Sequence, residues 1–272
     1  MAFELHKDEN GTEQYGTFSI FPNEMVVHAV STRFGGVSKA PYESMNLGLH
    51  VGDDAAAVVE NRRCFLDWLG LDFERLTTPE QIHGDNILRV GEAEAGRGRL
   101  SYADSIPATD ALMTDVPGIP LMLCFADCTP ILFFDPVHRV AAIAHGGWKG
   151  TVRSIAAKTV SAMAKAFGTN PEECLAAIGP AIGPCCYEIG DEVAGEFCEA
   201  FPQYVNEIIS DHDGKKHLDL WKANRLQLEE SGLLSEHIET AGVCTACQAR
   251  TFFSYRAEGP MTGRIAAVMA IR

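Results

Sequence analysis

His83, Cys128 and His145 stand in three short motifs, Gln81-Ile82-His83-Gly84, Ala126-Asp127-Cys128-Thr129-Pro130 and His145-Gly146-Gly147-Trp148-Lys149-Gly150-Thr151. Two imidazoles and a thiolate suit zinc. Three protein ligands leave the fourth position of a tetrahedral ion open, as a catalytic metal requires. The Cys128–His145 pair also suits a metal-free nucleophile and its base, because both chemistries set a thiolate beside an imidazole. Spacing alone does not separate the two.

The elements that must position these residues are partly readable. Residues 130–134 and 140–144 are short apolar runs of buried-strand type, and Asp135-Pro136-Val137-His138-Arg139 between them has the composition of a turn. A hairpin about that turn returns Cys128 and His145, 17 residues apart, to one open end. His83 must arrive from a separate loop, and no local pattern brings it there.

Further strands are expected at residues 17–20, 25–30, 87–90, 121–124, 175–179, 238–243 and 264–271. Helices are expected at 54–69, 151–167, 191–201 and 219–231, with a helix start at Asn170-Pro171. Residues 1–16 read as a frayed end and 31–38 as a Gly-rich loop. Strands and helices intermingle around at least one hairpin, with no repeat and no composition break. The pattern predicts an α+β fold, a single domain over residues 1–272 with mixed β-sheets packed against helices.

Bulk properties exclude several classes. An apolar share of 46% is ample for a large core, yet no run reaches the roughly 18 apolar residues of a membrane span. The polar first residues lack the apolar segment of a signal peptide, which predicts a cytoplasmic address. A net charge of −15 argues against nucleic acid as a partner. Nine cysteines, an odd count without a secretion signal, point to free thiols and ligands rather than a disulfide framework. Cys185-Cys186 are expected to line a wall or pack a turn. His237-Ile238-Glu239 and Cys244-Thr245-Ala246-Cys247 imitate pieces of a zinc deaminase signature. Their separation is too short for two helix starts, so a strand running into a loop is expected. No two histidines are separated by a single residue, which excludes the usual multicopper cluster; copper enters only as an occupant of the zinc position.

Arg33, Arg62, Lys149 and Arg256 lie at element boundaries in Gly-containing loops, where a side chain can reach a pocket. Lys149 together with a helix start at Thr151 could bind an anion. With no phosphate loop or dinucleotide fingerprint present, phosphate would be a small co-substrate.

Taken in order, the motifs Ser31-Thr32-Arg33-Phe34-Gly35-Gly36-Val37-Ser38, Asn46-Leu47-Gly48-Leu49-His50-Val51-Gly52-Asp53, Glu60-Asn61-Arg62, Gln81-Ile82-His83, Ala126-Asp127-Cys128-Thr129-Pro130 and His145-Gly146-Gly147-Trp148-Lys149-Gly150-Thr151 form a specific series. Ile178-Gly179-Pro180, Cys185-Cys186-Tyr187-Glu188, Phe252-Phe253-Ser254-Tyr255-Arg256 and Thr262-Gly263-Arg264 complete it. From about residue 25 to the end, the chain resembles the bacterial purine nucleoside phosphorylases long labelled polyphenol oxidase or laccase-domain proteins, also known as peptidoglycan editing factors. The resemblance implies a zinc site at His83, Cys128 and His145, with copper the other metal linked to the family. It implies phosphorolysis of adenosine, inosine and S-methyl-5'-thioadenosine, and deamination of adenosine to inosine. Its substrates would be purine nucleosides and phosphate. Arg33, Asn46, Arg62, Lys149 and Arg256 are the candidate contacts, and Asp127, adjacent to Cys128 in sequence, is the candidate carboxylate to shuttle a proton. Ala257 departs from the family, where a second Arg often follows the position of Arg256. Rival readings are a metal-free Cys–His hydrolase or amidase acting on cell-wall peptides, a copper-dependent polyphenol oxidase, and a non-catalytic metal-binding partner protein.

Overall fold

Apolar runs without alternation belong to strands covered on both faces, and this chain has many of them. The computed structural model describes residues 3–272. The first strands are β1 (Phe3–Lys7), β2 (Glu13–Phe18), β3 (Val26–Ser31), β4 (Ile87–Arg89), β5 (Ala111–Thr114), β6 (Leu121–Phe125) and β7 (Thr129–Asp135). They are followed by β8 (Val140–Gly146), β9 (Leu175–Ile178), β10 (Glu188–Ile189), β11 (Ile209–His212), β12 (Lys215–Leu218), β13 (Ile238–Thr240) and β14 (Ile265–Ile271). The helices are α1 (Ala55–Leu69), α2 (Trp148–Val152), α3 (Ile155–Phe167), α4 (Asp191–Ala200), α5 (Val205–Ile208), α6 (Leu220–Glu230) and α7 (Tyr255–Glu258).

Three sheets form. One is antiparallel, in the order β1-β2-β3-β14-β6, and a small antiparallel one runs β10-β12-β11. The third, β13-β9-β7-β8-β5-β4, is mixed, since β13 pairs β9 and β4 pairs β5 in parallel. The fold is α+β with mixed and antiparallel sheets, as expected.

Side chains at alternate positions explain the layering. Leu132, Phe134, Ala141 and Ile143 of the mixed sheet join Leu121, Leu123, Phe125, Ala267 and Met269 of the five-stranded sheet in one buried cluster. The intervening Ile131, Phe133, Ala142 and Ala144 turn the other way, onto Ile155, Val160 and Met163 of α3 and Leu228 of α6. On the opposite side, Met122, Ala266 and Val268 pack under Phe65 and Leu66 of α1. The order of layers is therefore helix, sheet, sheet, helix. Because one cluster draws on both large sheets, we propose that the chain forms a single domain.

Several boundaries differ from the sequence reading. Residues 3–18 are a β-hairpin rather than a frayed end, with Phe3 opposite Phe18 and their rings 5.0 Å apart; Met1 and Ala2 lie outside the described residues. The helix expected at 151–167 is two helices, α2 and α3, broken at Ser154, which adopts the left-handed region at φ 61°. Thr151 is thus interior to α2, whose first turn begins at Trp148, beside Lys149, rather than at Thr151. β5 and the sheet β10-β12-β11 were not expected. α1 matches closely, capped by the Asp54 carboxylate accepting from Ala56 N and closed by Gly70 at φ 66°.

Candidate active site

The β7–β8 hairpin is built as its sequence implies. The Asp135 carboxylate accepts from Val137 N (2.8 Å) and His138 N (3.0 Å), closing the turn. Pro130 then lies opposite His145, which sets Cys128 just before β7 and His145 near the end of β8 at the same edge. His83 arrives from the loop before β4. The donor atoms of His83, Cys128 and His145 all lie within 4.8 Å of one another.

A fourth residue organises them. Asp110, fully buried just before β5, accepts the His145 Nδ1–H at 2.9 Å. The same carboxylate accepts from the backbone N–H groups of Ile82 (3.2 Å), His83 (3.0 Å) and Gly84 (2.7 Å). These bonds hold the His83 loop in its turn, with His83 itself at φ 59°. They also leave Nε2 of His145 as the ring nitrogen for the Cys128 side. Gln81 supports the loop from behind, its amide donating to Cys124 O (2.9 Å) and accepting from Cys124 N (2.8 Å).

Electrostatics follow from this geometry. Burial pushes the Cys128 thiol up, but the facing His145 and hydrogen bonds from both imidazoles outweigh it and hold the thiol at about 6. Burial disfavours His145 as a cation, yet Cys128 and Asp110 raise it to about 9. Asp110 is raised by burial and brought below the usual carboxylate range by His145 and the N–H groups of Gly84 and Ile82. Without a metal the pair is a thiolate beside an imidazolium. The donors also suit an ion.

The trio opens on a cavity of about 510 Å³. Phe125, Trp148, Ile182, Tyr187 and Tyr255 give it apolar and aromatic walls, and His50, Gln81, Arg256 and Arg264 supply polar groups. Arg256 donates to the carbonyls of Cys186 and Glu188, and Arg264 Nη1 to those of Thr262 and Gly263. Both guanidiniums thus spend donors on carbonyls rather than carboxylates, and their charge is kept for the cavity. Burial beside Arg264 and Arg62 lowers His50 to about 4, so its imidazole is neutral at pH 7.

The residues expected as contacts separate into groups. Arg256 and Asp127 line the cavity. Asp127 accepts from Thr245 Oγ1 and from Arg256 N, each at 2.6 Å, and so fixes the Arg256 backbone. Asn46 is buried, and its Oδ1 accepts from Arg264 N at 2.9 Å, placing Arg264 rather than lining the cavity. Arg62 lies inside α1 rather than at a boundary and is buried, donating to the carbonyls of Leu47, Gly98 and Arg99. Arg33 is outside, paired with Glu258 at 2.7 Å over the Phe253 ring. Lys149 lies over the Trp148 indole, also outside the cavity lining. Asp110, His50 and Arg264 escaped sequence reasoning. His50 and Arg264 stand inside the quoted motifs, whereas no pattern marked Asp110.

The family described as multi-copper polyphenol oxidoreductase laccase matches residues 27–272. The chain is 40% identical to the purine nucleoside phosphorylase YlmD of Geobacillus stearothermophilus over 247 residues, 90% of each chain. It is 34% identical over 241 residues to the adenosine deaminase RL5 of an unknown prokaryotic organism, covering 88% of this chain and 91% of the other. The crystal structure of YlmD from Geobacillus stearothermophilus superposes with a TM-score of 0.92 at 37% identity, covering 98% of both chains.

Proposed function

The chain belongs to the multi-copper polyphenol oxidoreductase laccase family, and from that premise we propose that it is a zinc-dependent purine nucleoside enzyme. Its reactions would be phosphorolysis of adenosine, inosine and S-methyl-5'-thioadenosine to the free base and the (methylthio)ribose 1-phosphate, with deamination of adenosine as a second activity. The relatives named purine nucleoside phosphorylase and adenosine deaminase support this reading. The observation that carries it is the convergence of His83, Cys128 and His145 at the edge of an aromatic cavity bearing two arginines.

Two imidazoles and one thiolate with an aligned Asp–His pair fit zinc and leave one position open. Held there, zinc would supply Lewis acidity next to the bound nucleoside. The remaining work falls to the chain. Tyr187 and Tyr255 offer flat faces for a purine. Arg256 and Arg264 would orient phosphate so that one oxygen attacks C1′ as the N-glycosidic bond breaks and its electron pair leaves with the base. The positive charge that develops on the ribose is then met by the bound phosphate. Burial raises the Tyr187 phenol above its ordinary range, which keeps Oη protonated as a donor to the departing base. Asp127 is the carboxylate on the cavity wall and would take a proton from the attacking water and pass it to the amino group that leaves C6 as ammonia. Arg62 and Asn46 act on the cavity through the segment that carries Arg264.

The test pairs metal analysis of wild type and His83→Ala with phosphate-dependent adenine release from adenosine. Loss of one zinc equivalent together with adenine release is expected. An unchanged metal count with turnover intact overturns the assignment, and copper in place of zinc would move the reading toward oxidation. A second reading rests on the Cys128–His145 ion pair: a metal-free hydrolase with Cys128 as nucleophile. Stoichiometric alkylation of Cys128 in the purified protein, with no metal bound, would establish that alternative.

A further inference from the structure

Two sequence fragments, each ordinary when read alone, meet in space on the far side of the cavity wall. Cys185-Cys186 lie in the loop between β9 and β10, and Cys244-Thr245-Ala246-Cys247 in the loop between β13 and α7. Their four sulfurs all lie within 4.8 Å of one another. The Sγ of Cys247 is 3.5 Å from that of Cys185 and 3.4 Å from that of Cys186. A disulfide would bring two sulfurs to about 2.0 Å. Four thiolates around zinc, each about 2.3 Å from the ion, stand roughly 3.8 Å apart. The observed spacing is that of the second arrangement.

The backbone is shaped for thiolates as well. Cys247 N points at Cys244 Sγ (3.5 Å), the turn of a Cys-x-x-Cys metal loop, and Gly183 N points at the same sulfur (3.2 Å). Gly183 reaches it because it carries no side chain: a Cβ there would lie 2.7 Å from Cη2 of Trp221. Cys244 is buried while Cys185 and Cys247 are exposed, so the cluster opens to solvent along a path an ion can take.

We propose that Cys185, Cys186, Cys244 and Cys247 form a second metal site, which takes one zinc ion in tetrahedral thiolate coordination and clips two loops of the cavity wall together. With four protein ligands it has no open position and is structural. One loop carries Tyr187 and the other leads into α7, which carries Arg256, and the two are already joined by the Arg256 guanidinium donating to Cys186 O at 3.0 Å. The site stands independently of the reaction assigned to the cavity.

The experiment is a metal count on four proteins purified alike. Wild type is expected to carry two zinc ions, His83→Ala one, Cys247→Ser one, and the double variant none. Cobalt substitution of His83→Ala should give sulfur-to-metal charge-transfer absorption, and Cys247→Ser should retain only the bands of the mixed imidazole–thiolate site. Wild type and Cys247→Ser, which keeps the cavity ligands, decide the matter if the double variant does not fold. A metal-free His83→Ala protein overturns the proposal, as does iron in place of zinc. So does a wild-type mass lighter by the hydrogens lost when these thiols join as disulfides.

Discussion

Asp110→Asn is nearly isosteric and removes one negative charge, yet its effect is set by four hydrogen bonds. Oδ1 accepts from His145 Nδ1 and His83 N, and Oδ2 from Ile82 N and Gly84 N. An asparagine must place its NH₂ on one side or the other. If the amide nitrogen replaces Oδ2, it faces the N–H groups of Ile82 and Gly84, and the His83 loop loses two hydrogen bonds. If it replaces Oδ1, it faces His145 Nδ1 and drives the ring proton to Nε2, the nitrogen the metal needs. Either choice damages one ligand. Loss of such a partner weakens metal binding by about 10–100-fold, or about 1.4–2.8 kcal/mol at 1.4 kcal/mol per decade. The two bonds lost belong to a charged acceptor, at about 1.5–3 kcal/mol each, so the metal-free variant should be less stable by several kcal/mol. Competition against a chromophoric zinc chelator reads the affinity, and urea unfolding of the metal-free proteins reads the stability. A folded Asp110→Asn protein that binds zinc within twofold of wild type would refute the positioning role. So would a loss of affinity matched by Asp127→Asn, whose carboxylate bonds to Arg256 N and Thr245 Oγ1.

Further perturbations test other parts of the structure. Arg264→Gln should raise the KM for phosphate by roughly 10–100-fold, the worth of one charge-assisted hydrogen bond, while Arg33→Gln should leave it unchanged and cost stability instead; steady-state kinetics against phosphate and thermal melts separate them. Gly147→Ala would put a Cβ 3.0 Å from Cys128 Sγ and 3.3 Å from His83 Cδ2, and the crowding should cost about 1–3 kcal/mol, read as weakened zinc binding. His28 is buried and accepts from Phe18 N at 2.7 Å, and burial lowers it to about 4. Between about pH 6.5 and pH 4 the unfolded chain binds a proton that the folded chain refuses, so stability falls with pH by roughly 3 kcal/mol at 1.36 kcal/mol per unit. His28→Gln should flatten that limb of the urea-unfolding profile. Phe134→Ala, between the two large sheets, should cost about 3–5 kcal/mol.

What the sequence revealed of the fold depended on how local each signal was. The Asp54 cap and Gly70 stop of α1 are contained in the residues they govern, as is the Asp135 turn that closes β7 onto β8. Ser154 gave no such sign. A serine in the left-handed region has no dedicated residue type, so the break between α2 and α3 hid inside a continuous apolar stripe. The N-terminal hairpin hid because its strands are partly exposed and polar, without the apolar run that marks a buried strand; β1 pairs with β2, and β2 with the next strand, β3.

The candidate site divides along the same line. Cys128 and His145 could be brought together because one hairpin carries both, but His83 is placed by Asp110, a residue 27 positions away that belongs to no motif. An aspartate before a strand is ordinary in sequence; only the loop it receives gives it a task. The arginines show the converse. Arg33 and Arg256 share similar surroundings in sequence, a boundary and a nearby glycine, yet one pairs with Glu258 and the other lines the cavity, while Arg62, inside α1 rather than at a boundary, is buried against carbonyls. Charge type and local context mark a residue as able to reach a ligand. Whether it does so is decided by what else competes for its donors, and those competitors come from distant segments. For the same reason Cys185-Cys186 and Cys244-x-x-Cys247 read as a packed turn and a loop when apart. Brought within 4.8 Å of one another, they have the composition and spacing of a metal site that neither fragment has alone.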